Sequence, residues 1–100
     1  MTLKQIQSLV SDFRYNYSNH IRVRIEAGEF GEEDMEHCIR TAKSIYKVEW
    51  DELKTAVDGK KYVILGKDTY GCLFYTCGKV IKDEKGKLYF FITAHEADLR

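Results

Sequence analysis

At 100 residues, 44% hydrophobic and 32% charged, the chain is sized for one domain with a real apolar core. Lys plus Arg and Asp plus Glu each number 16, so there is no basic surplus of the kind that phosphate-led nucleic-acid binders carry. No apolar run approaches the roughly 18–20 residues of a membrane span, and the first ten residues, MTLKQIQSLV, lack the features of a secretory signal.

Three cysteines are an odd count for a closed disulfide framework. Cys72 and Cys77 are five positions apart on one predicted strand, roughly 16 Å at strand rise, too far to bridge. A reduced, cytoplasmic setting is expected.

Leu3, Ile6, Leu9, Val10 and Phe13 recur at helical spacing, with Thr2 placed to cap the helix they define. Residues 13–17 break the pattern and read as a connector, partly extended. A second helix is expected from a Ser18 cap to Ala27, stopped by Gly28. Against it, Ile21-Arg22-Val23-Arg24-Ile25 alternates with the period of a strand. The third helix, from Glu32 to about Ala42, is the best specified. Glu32, Glu33 and Asp34 crowd the positive end of its dipole, and Met35, Cys38, Ile39 and Ala42 form its stripe.

Ser44 to Trp50 reads as a first strand or irregular edge, and residues 51–61 as a loop. Tyr62 to His95 then carries three strand-like runs, closed at Gly66 and at the Lys82–Gly86 hairpin. The expected architecture is α+β, a single domain over residues 1–100. Two or three N-terminal helices cover one face of a curved antiparallel sheet of three to four strands.

Side chains alternate across a strand. In the last run Leu88, Phe90, Ile92 and Ala94 are therefore expected under the helices. Tyr89, Phe91, Thr93 and His95 are expected on the open face, with the hydroxyl and imidazole about 7 Å apart. The middle run splits into two mixed sets, one with Cys72, Phe74 and Thr76, the other with Tyr75, Cys77 and Lys79, and neither is assigned to the core. His20 and Arg24 are four apart and share a helix face if 19–27 is helical. A guanidinium beside the imidazole would favour its neutral, basic form. For all of these the plain alternative is solvated surface or a finished strand end. No metal site or cofactor is expected, because no C-x-x-C or H-x-x-x-H pair, phosphate loop or nucleophile elbow occurs.

Ser18-x-His20-x-x-x-Arg24, Gly31-Glu32-Glu33-Asp34-Met35, Tyr62-Val63-Ile64-Leu65-Gly66 and Phe91-Ile92-Thr93-Ala94-His95 together resemble a family of small bacterial domains of unknown function grouped with the BrnT and RelE/ParE toxins. The resemblance spans roughly residues 17–97. It implies helices on a curved antiparallel sheet and, in the toxin relatives, metal-independent endoribonuclease activity at the open sheet face. Carried over, it makes His20, Arg24, Thr93 and His95 the catalytic candidates, with Tyr70 or Tyr89 stacking a base and Lys79 or Lys67 binding phosphate. The implied partners are RNA and a cognate antitoxin-like protein. The family's Arg after the glycine of the middle strand is missing, since Cys72 follows Gly71. That departure and the neutral charge favour a second expectation, a non-catalytic interaction module that binds a protein, or a second copy as a homodimer, through an aromatic face or a sheet edge.

Overall fold

The computed structural model describes residues 1–97. The class is α+β: three helices, α1 (Leu3–Ser11), α2 (Asn19–Glu26) and α3 (Glu32–Thr41), lie against a five-stranded mixed sheet. The strands are β1 (Tyr15–Tyr17), β2 (Lys47–Trp50), β3 (Lys60–Lys67), β4 (Leu73–Asp83) and β5 (Gly86–Glu96), in the spatial order β1-β5-β4-β3-β2. Two features differ from the expected fold. The sheet has five strands rather than three or four, and one of them, β1, sits between the first two helices in sequence and pairs parallel to β5.

The helices start where their caps dictate. Thr2 accepts from the Gln5 amide at 3.2 Å while the Gln5 side chain accepts from the Thr2 amide, a reciprocal capping box. Phe13, at φ +57°, ends α1 in the left-handed region and swings Arg14 and Tyr15 into the sheet. Ser18 resolves the helix–strand conflict at 21–25 in favour of the helix. Its Oγ accepts from the Ile21 amide at 3.3 Å and donates to the Ile92 carbonyl at 2.8 Å, so one hydroxyl caps α2 and ties it to β5.

The core lies between the helices and one sheet face, built from Ile6, Val10, Ile21, Met35, Ile39, Ile64, Phe74, Val80, Tyr89 and Phe91. Two glycines allow the closest approaches. A methyl group on Gly66 would lie 2.0 Å from the Cys38 carbonyl oxygen, so α3 sits backbone-on-backbone over β3 there. A methyl group on Gly78 would strike the Tyr89 ring at 2.5 Å. Cys38 is fully buried beneath this contact, its thiol 3.4 Å from the Phe74 carbonyl, and burial pushes its pKa up to about 12.

The face assignment of β5 needs correction. Gly78 pairs with Phe91 but Cys77 pairs with Thr93, so Ile92 is an extra, unpaired residue, a β-bulge. Before it, Tyr89 and Phe91 face the helices and are fully buried, while Leu88 and Phe90 face away. After it, Ala94 returns to the core, and Thr93 and His95 lie on the open face. The expected alternation was right for Ala94, Thr93 and His95 and inverted for Leu88 to Phe91.

The Gly66 contact gives the first prediction. Gly66→Ala should cost about 3 kcal/mol or more, read as a lower urea midpoint with an unchanged slope. A near-neutral substitution would mean that α3 does not bear on β3 at this point.

Candidate functional site

The open sheet face brings some of the expected site residues together. Thr93 stands opposite Cys77 and His95 opposite Tyr75, on adjacent strands. The His95 ring stacks on Tyr75 with centroids 4.6 Å apart and planes at 14°, so the imidazole leans over β4. Its Nδ1 lies 2.9 Å from the Glu96 carbonyl.

His20 and Arg24 are elsewhere. Both belong to α2; His20 is exposed, and Arg24 donates to the Ala94 carbonyl at 3.4 Å and lies 3.8 Å from Glu29. That carbonyl is on the edge of β5 beyond the end of β1, the side away from Tyr75. Arg24 thus finishes a strand edge from the helix layer, while His95 turns from that edge. The other expected binding residues also separate. Tyr70 is 87% exposed on the β3–β4 turn. Tyr89 is fully buried, its ring packed over Gly78, where no base can stack on it.

Lys79 is on the open face but is not free. Its ammonium lies 3.1 and 3.2 Å from the two carboxylate oxygens of Asp51, and both side chains are almost wholly buried. Asp51 leaves the end of β2 and also accepts from the amides of Leu53, Thr55 and Ala56 at 3.3, 2.9 and 2.8 Å. Burial opposes the charge of Asp51, but the Ala56 amide, the Lys79 ammonium and the Thr55 amide outweigh it, and its pKa falls to about 2. The pair folds the 51–59 loop over the sheet and leaves a groove of about 400 Å³ beside Leu53, Ile81 and Phe90. Nothing in the sequence spacing links Asp51 to Lys79, which are 28 positions apart.

A larger cleft, about 510 Å³, opens at the other end of the sheet between the 28–31 loop, the start of α3 and the 68–72 turn. Glu29, Glu33, Asp34, Asp68 and Glu96 line it, and among the described residues no Lys, Arg or His does. Asp34 organises it by accepting from the Gly31 amide (2.9 Å), the Thr69 amide (3.0 Å) and the Thr69 hydroxyl (2.7 Å). Burial again opposes the charge, yet the Gly31 and Thr69 donors outweigh it and hold the Asp34 pKa below the usual range. Such a field repels phosphate and suits a cation. Among the described residues no group of three or more His, Cys, Asp or Glu is close enough to hold a metal ion.

The last feature is an edge. At the β5 side of the sheet, Ser18 and Arg24 occupy the carbonyls of Phe91, Ile92 and Ala94. At the other side β2 is bare. Val48 and Trp50 project on the helix side of the sheet, since Val48 pairs with core residue Tyr62, yet both stay largely exposed. Tyr46, Val48 and Trp50 are 68, 50 and 75% exposed. Read as a sequence, Ser44 to Trp50 gave a strand but no sign that its apolar residues would stay uncovered.

The buried pair sets the second prediction. Lys79→Ala should cost about 3 kcal/mol by leaving Asp51 buried without its cation. Because the Asp51 pKa is depressed from 3.8 to about 2, its stabilisation is present above pH ~4 and is lost as pH falls through 2. Asp51→Asn should therefore flatten the acid limb of stability against pH; an unchanged limb would show that Asp51 does not titrate with folding.

Compared with known protein families, curated proteins and solved structures, the chain matches none.

Proposed function

We propose that the chain is a non-catalytic protein-interaction module that binds along the free β2 edge. The observation that carries this reading is the uncovered strand itself. An edge strand offers unpaired amides and carbonyls as a template for another strand, and here Tyr46, Val48 and Trp50 add exposed apolar side chains to it. Large apolar side chains clustered on one surface mark interaction sites, and aromatic residues are enriched in the centres of protein interfaces.

Two of the cations that phosphoryl chemistry would recruit are held in internal bonds. Lys79 is locked to Asp51 and Arg24 is spent on a strand carbonyl and Glu29. The larger of the two clefts described above is lined by carboxylates. The alternative, the metal-independent ribonuclease implied by the BrnT and RelE/ParE resemblance, is favoured by one feature, the juxtaposition of Thr93, His95 and Tyr75 on the open face. In that cluster the imidazole is a general base candidate whose Nδ1 lies against the Glu96 carbonyl.

The two readings separate in one assay. Single-stranded and structured RNAs incubated with excess protein and EDTA should stay intact, and His95→Ala should change nothing. Cleavage that is lost in His95→Ala would replace the module reading with the ribonuclease.

A further inference from the structure

The β2 edge is complementary to itself. Centred on Val48, β2 and the residue before it run Tyr46-Lys47-Val48-Glu49-Trp50: an aromatic residue, a charge, an aliphatic residue, the opposite charge, an aromatic residue. Reversal exchanges Lys47 with Glu49 and Tyr46 with Trp50.

The backbone is set for the same operation. The Asp51 amide donates to the Gly59 carbonyl of the neighbouring strand at 2.8 Å. Direction alternates along an antiparallel strand, so Glu49 also turns its amide and carbonyl towards β3, and Val48 and Trp50 turn theirs to the free edge; the alternation ends at Tyr46, whose amide donates to the Val63 carbonyl at 2.9 Å. The central residue of the palindrome is therefore one whose hydrogen-bonding groups point outward.

We propose that the partner at this edge is a second copy of the chain, paired antiparallel β2 to β2 about a two-fold axis at Val48. The proposal rests on the interaction-module reading and names its partner. In this register the two Val48 residues exchange reciprocal amide-to-carbonyl bonds, and Lys47 of each copy faces Glu49 of the other. Trp50 of each copy reaches past this ladder towards the Tyr46 side chain of the other, whose amide is held on its own β3. Directly opposed residues share a sheet face, so the charges of both copies meet on one face. Within one chain Lys47 and Glu49 already stand 3.5 Å apart on that face. The dimer converts this pair into a quartet of alternating sign. On the other face the two Val48 and two Trp50 side chains close over one another, and the two sheets become one of ten strands. A contact of this kind uses the same patch on both copies and closes after two. A register shifted by two residues along the strand loses the opposite-charge pairing, so the charges select a single alignment.

The test is mass in solution across a wide concentration range, by light scattering or sedimentation. The wild type should approach twice its 11.7 kDa chain mass. Val48→Pro removes an outward amide without touching the β3 ladder, and should give a monomer of unchanged circular dichroism. Lys47→Glu and Glu49→Lys each place like charges opposite one another twice, and each should weaken the dimer about tenfold. Mixed in equal amounts, these two variants should pair with each other at wild-type strength. Should Val48→Pro fail to fold, the charge-swap pair carries the test alone. A wild type that stays at 11.7 kDa overturns the proposal, and so does a dimer indifferent to the charge swaps. Neither result touches the module reading, which the RNA assay decides separately.

Discussion

Helix α3 rests on β3 with no side chain between them at Gly66, and most of the molecule is positioned from that contact. The helix carries Cys38, Met35 and Ile39 into the core. Its first turns reach outward in two directions. Glu32 accepts from the hydroxyls of Tyr15 and Tyr17 at 3.1 Å, and Glu36 also accepts from Tyr15, which fastens β1 to the helix layer. Asp34 gathers the 68–72 turn and shapes the anionic cleft. Burial and the bonds to Glu36 and Glu32 raise the Tyr15 pKa, so these contacts are made by neutral phenols to carboxylates. The acidic first turn that favours the helix dipole is thus also the anchor of a strand and a loop.

The two borders of the sheet are finished in opposite ways. On the β5 side, β1 covers the first part of the strand, and Ser18 and Arg24 then take over where β1 stops. Arg14 adds a bidentate clasp to Asp83 at the hairpin end, with a 2.8 Å contact. On the β2 side there is only a four-residue strand with one Lys and one Glu on its open face. Edges are commonly blunted by charge and shortness. Here the charges are of opposite sign and symmetrically placed, so they repel many strands but accommodate their own reversed image. Arg24 and Lys79, two cations that a catalytic reading would recruit, are employed in holding the fold.

Much of the helical layer was legible because caps and periodicity are local. Thr2 and Ser18 begin helices where their residue types predict, and the stripe of α3 buries as expected. What was not legible depends on partners distant in sequence. β1 is three residues long and exists because β5 offers it a parallel edge; Tyr15-Asn16-Tyr17 alone gives only an extended connector. Lys79 looked like a free cation because Asp51 enters from a loop with no regular structure. Tyr89 and Phe91 went to the wrong face because strict alternation was carried through Ile92. In the candidate site, Thr93 and His95 were correctly placed on the open face. Their separation from His20 and Arg24 follows from where α2 crosses the end of β5, and a sequence does not state that crossing.

The bulge at Ile92 lets β5 change phase without changing direction. Ser18 holds its carbonyl, and the residues on either side keep their faces because Ile92 and Thr93 together occupy one step of the ladder. Loss of Ile92 would leave Phe91 and Ala94 inward and Thr93 and His95 outward, as they are now. Loss of a residue anywhere between Leu88 and Phe91 would instead turn buried aromatics out to water. The last strand thus has one position at which its length can vary, and natural variation in the length of this strand should collect there.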